Sequence, residues 1–349
     1  MKSIIFTTVL LILSVAVTVF AQEIVFPQGE ERELTAEDFF RYTQNDIKYN
    51  EIWRYNFVFD NGTKVFLSYS IMSVPFLGTN CGINTSFYNF RGKNYQVGRE
   101  YPENRFDECK DAPGAIHIRT GSENNVFFMT GLPGDGHHVV FKTHKNEGFL
   151  LDLIFSDPLL GKVIGDGVFK LGQQKNGLYV HIPEGHVKGV IGIGEDIMEV
   201  EGFGYMEHLR QTKQAMDLAA CSVQLYGKDA PFAGNIFVGP EKYAFSPYGY
   251  TIDKKTRKVL LPKEIKAGGN KISNKLRTLN GVEIIWRNDP HTATIDNPLE
   301  HQRYSLLSTI KGWPARQAAR FFMGGELISL RGVSRVNSHP AHFNIFLIK

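Results

Sequence analysis

The stretch that decides our interpretation of the fold reads Val200-Glu-Gly-Phe-Gly-Tyr-Met-Glu-His208 and lies near the middle of the chain. Residues 187–193 form an apolar, glycine-containing run before it, and a Gly-Glu-Asp turn follows at residues 194–196. Two β-prone runs joined by such a turn predict a hairpin. We therefore predict that two antiparallel strands meet here and that the second strand carries the polar residues at the end of the stretch.

The end of this stretch holds the densest group of proton-transferring side chains in the chain. Tyr205, Glu207 and His208 place a phenol, a carboxylate and an imidazole within four residues. Gly202 and Gly204 precede them, and a glycine within a strand marks a bulge or a close approach to the backbone. These residues are candidates for a catalytic or ligand-binding site. The alternative is a kinked barrel strand whose polar residues merely reach solvent.

The composition is that of a globular protein with a substantial core. Of the 349 residues, 42% are hydrophobic and 21% are charged, which is ordinary for a folded domain. This length allows two domains of usual size or one large β-domain. The 34 glycines and 26 phenylalanines favour β-structure. A net charge of only +3, without a basic stripe interleaved with aromatic residues, argues against a nucleic-acid partner.

The N-terminal residues have the features of an export signal. Lys2 precedes an apolar run over residues 4–20, and Val-Phe-Ala21 fits a cleavage site before Gln22. We predict a signal peptide over residues 1–21, cleaved after Ala21, and a secreted or periplasmic protein. The run is long for a signal peptide, so an uncleaved anchor is the alternative. No later stretch is long and apolar enough to cross a bilayer, so we expect no stable membrane span after cleavage.

Export would permit disulfides, and the sequence contains three cysteines. Cys81 and Cys109 lie in the same half of the chain and are the disulfide candidate. Cys221 is then expected to be a buried free thiol. A single bridge cannot hold together a protein of this size, so the hydrophobic core must supply the stability.

The rest of the sequence predicts an all-β protein with few short helices. Residues 52–59 alternate strictly and place four aromatic side chains on one face. Asn61-Gly62 follows, a pair favoured in type I′ hairpin turns, and residues 64–71 return as the partner strand. Further short strands recur about every ten residues between turn signals, which is typical of a barrel or sandwich.

The strands fall into two halves of similar strand count on either side of residue 183. We therefore predict two β-domains that face each other, an N-terminal domain over residues 22–182 and a C-terminal domain over residues 183–349.

Three motifs, taken in order, resemble the hydroxyneurosporene synthase (carotenoid 1,2-hydratase) family. Glu51-x-Trp-x-Tyr-x-Phe57 followed by Asp-x-Gly62 resembles the opening hairpin of the family, and Leu151-Asp-Leu-Ile-Phe155 resembles its Leu-x-Leu-x-Phe strand. Residues 183–189 together with 200–208 resemble its central Gly-x-Gly-Tyr-x-(Asp/Glu)-His block. The likeness extends over roughly residues 50–255. Related groups are the fungal survival-factor proteins and the fungal intramolecular Diels–Alderases.

The resemblance implies two lipocalin-like (calycin) domains with a hydrophobic ligand between them. Members of known activity act on isoprenoid or polyene substrates, by acid-catalysed hydration or pericyclic cyclisation, and need no metal or other cofactor. Two departures argue against hydratase activity. Leu209 and Arg210 follow His208, where the family's hydratases usually have Asn-Trp or Gln-Trp, and Ile52 replaces the first Trp of the opening pair. Both changes remove an aromatic ring that could stabilise a carbocation.

The candidate residues have distinct roles in a catalytic interpretation. Glu207 would be the acid that protonates an alkene, His208 would orient it or hold a water molecule, and Tyr205 would donate a hydrogen bond. The candidate ligand-binding residues are Trp53, Tyr55, Gly202 and Gly204. In the alternative, Glu207 and His208 form a hydrogen-bonded pair that fixes the two domains together, and Trp53 belongs to the core.

The eleven histidines do not predict a metal site, because none of their clusters has a carboxylate or cysteine at ligand spacing. The sequence therefore predicts an exported binder of a hydrophobic small molecule, a lipid or an isoprenoid-like compound, in a cleft between two β-domains. One alternative is a metal-free hydratase or cyclase that uses Glu207 and His208. The other is a structural secreted β-protein without a ligand.

Overall fold

The computed structural model describes residues 22–348 except 43–48, 75–77, 112–113, 123–124, 135, 145–146, 214, 268–269, 272–280, 306–312, 314–315, 318–319 and 321–324. The expected signal peptide, residues 1–21, lies outside the described residues. None of the helices in the described part of the chain is long and apolar enough to cross a membrane.

The first of two large sheets contains thirteen antiparallel strands, numbered here in chain order through the molecule. They are β1 (Ile24–Val25), β3 (Asn50–Phe59), β4 (Lys64–Val74), β5 (Gly78–Phe90), β6 (Lys93–Pro102), β7 (Phe106–Cys109), β8 (Ala115–Ile118), β9 (Val126–Thr130), β10 (His138–Thr143), β11 (Phe149–Leu159), β13 (Val168–Leu171), β14 (Gln174–Ile193) and β15 (Asp196–Gln211). Their order is β6-β5-β4-β3-β15-β14-β11-β10-β9-β8-β7, with β13 also beside β14 and β1 beside β13. The long β14–β15 hairpin thus joins two meanders into one nearly closed barrel.

The second sheet contains ten antiparallel strands and forms a second nearly closed barrel. They are β16 (Cys221–Tyr226), β17 (Phe232–Val238), β18 (Pro247–Asp253), β19 (Val259–Leu260), β20 (Pro262–Ala267), β21 (Asn270–Lys271), β22 (Val282–Trp286), β23 (Thr292–Ser305), β24 (Leu327–Val336) and β25 (His339–Ile348). Their order is β19-β18-β17-β16-β25-β24-β23-β22-β20-β21, so the last strand of the chain pairs with the first strand of this barrel. The expectation of two lipocalin-like β-domains with few short helices is confirmed.

Residues 22–42, called the N-terminal arm below, contact both barrels. Strand β1 pairs with β13, and β2 (Glu31–Glu33) pairs with β12 (Lys162–Ile164) in a separate two-stranded sheet. The arm also reaches the second barrel, because the Gln22 amide donates to the Lys242 carbonyl at 2.9 Å and the Val259 amide donates to Glu31 Oε1 at 3.2 Å. Its helix α1 (Ala36–Phe39) is a single turn. The other short helices are α2 (Ala215–Leu218) and the 3-10 turns Glu103–Arg105 and Glu241–Tyr243.

The two hairpins expected from the sequence are present. Ile193 pairs with Asp196 across the central turn, where Gly194 has a φ of +64°. Strand β3 pairs with β4 as expected. Their turn is not type I′, because Asn61 does not have a positive φ. Instead the Gly62 amide donates to the Phe59 carbonyl at 2.9 Å and Gly62 alone takes a φ of +83°, which is a type I turn closed by a left-handed glycine.

The two barrel interiors differ in character. The predicted alternation along β3 is confirmed, since its four aromatic side chains are all buried in the first barrel, together with further phenylalanines of β5, β10 and β11. The second interior is mainly aliphatic, with valine, isoleucine, leucine and alanine from every second position of its strands. Large aromatic side chains fill the first barrel efficiently, because each ring removes a large apolar area from water.

A third buried cluster lies between the barrels and draws on both sheets. It is rich in tyrosine, and it contains Tyr179, Tyr205, Tyr226, Tyr243, Tyr248 and Tyr250. Polar groups complete the contact: the Val180 amide donates to Tyr250 Oη at 2.8 Å, and Asn56 Nδ2 donates to Gln224 Oε1 at 2.7 Å. Satisfied polar groups of this kind fix the relative position of two packed elements.

The expected division after residue 182 falls inside β14, and both β14 and β15 pair within the first sheet. The sheets divide between Gln211 and Cys221. The similar strand counts of the two halves did not predict this boundary, because Pro183 does not end β14. The ladder instead shifts register between Val180 and Gly185, and such a bulge accommodates a proline.

The disulfide expected between Cys81 and Cys109 is absent, and all three cysteines of the described chain are free thiols. Cys81 is buried within β5, and its Sγ lies 3.4 Å from the Pro102 carbonyl. Cys109 is exposed at the end of β7. Location in the same half of the chain therefore does not bring these two side chains together. Cys221 is a buried free thiol, as expected.

Candidate functional site

Glu207 lies between the two barrels and is completely buried. Arg54 Nη1 of β3 lies 3.3 Å from Glu207 Oε1, Asn235 Nδ2 of the second barrel donates to the same oxygen at 3.1 Å, and the Tyr205 hydroxyl donates to Oε2 at 2.7 Å. The Arg54 guanidinium lies 4.4 Å above the Phe346 ring, which also belongs to the second barrel. The carboxylate therefore links the two domains, and three donors occupy its oxygens.

His208 projects to the other side of β15 and lies inside the first barrel. Its Nδ1 donates to the Asp38 carbonyl at 2.9 Å, and its ring is stacked on Trp53 with centroids 4.4 Å apart. Successive side chains of a strand point to opposite faces, so Glu207 and His208 cannot form the pair that we considered. Of the three residues in the Tyr-x-Glu-His group, the structure brings Tyr205 and Glu207 together and separates His208 from both.

The acid beside His208 is Glu51, which the sequence analysis quoted in a motif but did not select. Glu51 Oε1 lies 2.7 Å from His208 Nε2, and the Arg210 Nε and the Tyr42 amide approach the same carboxyl group at 3.3 Å and 3.2 Å. The Tyr49 hydroxyl also contacts it. Glu51 and His208 are both fully buried, and His208 Nε2 lacks a well-directed hydrogen bond among the described residues.

Burial sets the protonation of this pair. Desolvation raises the pKa of Glu51 to about 8, although Arg210 and the Tyr42 amide oppose the shift. Desolvation also lowers the pKa of His208 well below its ordinary value, and the positive charge of Arg210 lowers it further. At neutral pH the arrangement is therefore a protonated carboxyl group beside a neutral imidazole. A carboxylic acid kept neutral by an apolar site can act as a general acid.

Trp53 and Tyr55 are buried in the same interior. Trp53 is stacked between His208 and Phe106, and its Nε1 donates to the Phe39 carbonyl at 2.8 Å. The Tyr55 hydroxyl donates to His137 Nε2 at 2.8 Å, because His137 Nδ1 is directed at the Gly131 carbonyl. Both candidate ligand-binding residues are therefore hydrogen-bonded to other residues of the protein in this structure.

The arm covers this interior. Four carbonyl groups at the end of α1, those of Glu37, Asp38, Phe39 and Phe40, accept hydrogen bonds from barrel side chains. The donors are Arg210, His181, His208 and Trp53. The Phe39 side chain is fully buried and packs edge-on against His137 and His181. The Phe39 side chain therefore belongs to the core of the first barrel, beside His137 and His181.

Gly202 and Gly204 lie against other residues of the protein and not beside an open space. A Cβ on Gly202 would lie 2.2 Å from the Val58 carbonyl oxygen and 2.7 Å from Phe59 Cα. A Cβ on Gly204 would lie 2.5 Å from the Phe155 ring. The close approach that we expected at these positions is made by the backbone of β3 and by a core side chain.

A cleft lies elsewhere between the barrels, on the seam between β4–β5 and β23–β25. Its walls include Lys64, Phe66 and Tyr88 from the first barrel and Tyr226, Arg331 and His342 from the second. It has room for about one water molecule in this structure. None of these residues was a candidate from the sequence, because they lie far apart in the chain and share no motif. Within the described ranges, no group of three or more His, Cys, Asp or Glu residues could hold a metal ion.

The architecture and the seam define the class of the protein as an all-β protein of two lipocalin-like barrels packed face to face. Three solved structures are similar to it. A putative AttH from Nitrosomonas europaea has 13% identity and a TM-score of 0.54, covering 93% of this chain and 99% of that one. CghA with Sch210972 has 10% identity and a TM-score of 0.50, covering 95% and 96%. Kievitone hydratase from Nectria haematococca has 11% identity and a TM-score of 0.47, covering 95% and 98%.

No protein-family model and no curated protein matches the chain. At identities of 10% to 13%, the first two structures show a shared fold and nothing further.

Proposed function

We propose that the protein binds a hydrophobic small molecule in the cleft between its two barrels. The observation that carries this proposal is the composition of the seam: the rings of Phe66, Tyr88 and Tyr226 line a cleft that opens between two otherwise well-packed domains. Ligand sites occur preferentially at domain interfaces, where apolar walls are combined with a few polar groups. One structure of this fold, CghA, was solved with the small molecule Sch210972.

The state of Glu207 favours binding over catalysis by that residue. Arg54, Tyr205 and Asn235 already occupy both carboxylate oxygens. A carboxyl group whose two oxygens already contact three donors of the protein is placed to join the two domains.

The direct test is native mass spectrometry of the protein purified from its own source, followed by organic extraction of any bound compound. We expect a lipid or polyene in near-equimolar amount. Tyr88→Ala should reduce that amount, because Tyr88 is a partly buried ring of the cleft. Tyr95→Ala is the matched control, since Tyr95 packs against Phe149 inside the first barrel. A protein that carries nothing and ignores a panel of polyenes would exclude the proposal.

A second candidate function rests on Glu51. A buried acid whose pKa is raised to about 8, beside His208 and its stacked partner Trp53, has the properties of a general acid for hydration or cyclisation of a polyene. The end of α1 is hydrogen-bonded to Arg210, His208 and Trp53 and covers this interior, so the activity requires that α1 move. The test is the mass of the recovered polyene. Conversion by wild type and its loss in Glu51→Gln, but not in Glu207→Gln, would support catalysis, whereas an unchanged polyene would exclude it.

We also propose that residues 1–21 direct export and are removed. The supporting feature is the apolar run with a small-residue cleavage site. The intact mass of the protein recovered outside the cytoplasm should begin at Gln22, and retention of the leader would indicate an anchor instead.

A further inference from the structure

The cleft contains two cationic side chains from different barrels, Lys64 of β4 and Arg331 of β24. Lys64 Nζ lies 5.4 Å from the centroid of the Tyr88 ring, and the Arg331 guanidinium lies 3.9 Å from that of Phe66. Aromatic faces attract cations, so the rings of the cleft hold both charges without neutralising them.

Neither cation has an acidic partner. Across the described residues, Lys64 and Arg331 form no ion pair within 4 Å. Among the described residues, Arg331 Nη1 donates to Gln302 Oε1 at 3.2 Å, and the buried Nε of Arg331 has no hydrogen-bond acceptor. The Nδ1 of His342, in the same wall, is also buried without a partner among the residues described.

The surrounding charges are positive or neutral. Arg54 and His301 add basic groups near the cleft, and the other titratable side chains described there are the hydroxyls of Tyr88, Tyr226 and Tyr304. Glu207 is already bound to Arg54.

Buried cations without counter-ions are costly, and they lose charge unless an anion neutralises them. Desolvation lowers the pKa of Lys64 to about 8 and that of Arg331 to about 10. Lys64, Arg331 and His301 are only partly buried. Their side chains can therefore rotate to admit a group larger than the single water for which the cleft has room.

We propose that this cleft binds the oxyanion head, a carboxylate or phosphate, of an amphipathic small molecule whose apolar part lies against the aromatic walls. This inference rests on the proposed binding function and specifies its ligand class. Arg331 Nε and Lys64 Nζ donate charge-assisted hydrogen bonds to the head, and His342 Nδ1 donates a third in its neutral tautomer. Phe66 and Tyr88 contact the first carbons of the chain.

The test is isothermal titration of the full chain at pH 7 with five probes: sodium decanoate, decyl phosphate, decanol, decyltrimethylammonium and inorganic phosphate. We expect the two anionic amphiphiles to bind at least about 10-fold more tightly than decanol and the cation, because a hydrogen bond to a charged group contributes that much or more. Decanoate and decyl phosphate then distinguish the two possible heads.

Two variants and a control localise the site. Arg331→Gln should weaken decanoate binding about 10-fold to 100-fold. Lys64→Gln should also weaken decanoate binding. Because Lys64 is only partly buried, this variant should fold even if Arg331→Gln does not, so the test remains possible. Arg303→Gln is the control, since Arg303 lies on neighbouring β23, is exposed and is already paired with Glu300.

The outcomes separate this inference from the function on which it rests. Equal binding of decanol and decanoate, unaffected by both variants, would overturn the oxyanion site but leave a hydrophobic binder. If inorganic phosphate bound as tightly as decyl phosphate, the oxyanion site would stand, and a contribution of the apolar walls to binding would be excluded. No binding of any amphiphile, together with no extracted compound, would overturn both.

Discussion

Glu51→Gln tests whether the buried acid is protonated in the folded protein. Glutamine resembles the protonated carboxyl group in size and cannot ionise. The folded-state pKa of Glu51 is raised to about 8, whereas in the unfolded chain it is about 4. The folded state therefore binds more protons than the unfolded state between these values, and the free energy of unfolding falls as pH rises through this range.

Other buried groups restrict the useful pH window. Desolvation lowers the pKa of His137 to about 4 and that of His342 to about 3. A histidine with a lowered folded pKa makes stability rise with pH until the unfolded histidine has lost its proton, about one pH unit above its ordinary pKa of about 6.5. The pKa values of His181 and His208 are lowered by burial as well, and Lys64, with a pKa lowered to about 8, adds a similar rise near pH 8. These groups are common to wild type and Glu51→Gln, so the difference in stability between the two proteins from pH 6.5 to 8 isolates Glu51.

Within that interval, one pH unit corresponds to about 1.4 kcal/mol for a proton bound only in the folded state. We expect the free energy of unfolding of wild type, relative to that of Glu51→Gln, to fall by about 1–2 kcal/mol between pH 6.5 and 8. The two proteins should be about equally stable at pH 6.5. The measurement is urea unfolding followed by tryptophan fluorescence at four pH values. Glu199→Gln is the control, because Glu199 is an exposed carboxylate on β15. An equal slope in wild type and Glu51→Gln across the interval would refute the reasoning.

Two further predictions concern the stretch from residue 200 to 208, and urea unfolding at pH 7 measures both. Gly202→Ala should destabilise the protein by more than about 3 kcal/mol and Gly204→Ala by about 1–3 kcal/mol. The new methyl group meets strand backbone in the first variant and movable side chains in the second; the reverse order would contradict this packing. Glu207→Gln should cost about 2–4 kcal/mol because it removes the counter-ion of the partly buried Arg54, whereas Glu201→Gln, at an exposed position, should cost less than about 0.5 kcal/mol. Equal losses in these last two variants would show that Glu207 does not join the barrels.

Local pattern was sufficient to predict much of the fold. The strict alternation along residues 52–59 places its aromatic side chains in the first interior, because a strand with one buried face has a period of two. The Gly-Glu-Asp turn likewise marks the central hairpin. The pairing of strands into sheets could not be predicted as well. The same local signals are compatible with a domain boundary on either side of the β14–β15 hairpin. Which sheet this hairpin joins depends on long-range pairing with β3 and β11.

The site shows where proximity in sequence misleads. Glu207 and His208 are adjacent in the chain, yet the alternation of strand faces places one between the barrels and the other inside the first. The same alternation could have indicated Glu51, because it lies two residues before Trp53 and therefore shares its face. The cationic cleft had no such signal. Lys64 and Arg331 meet only because the two barrels pack together, and no local pattern encodes that contact.

The N-terminal arm has a consequence for the order of assembly. Its amide and side-chain contacts with Lys242 and Val259 require that the second barrel already be folded. Synthesis proceeds from the N-terminus, so the arm is made long before its partners in the second barrel. The arm can therefore acquire its final contacts only after residues more than two hundred positions later are in place. Such long-range closure is slow compared with local hairpin formation. We expect docking of the arm, and with it the covering of the first barrel by α1, to be a late step in maturation.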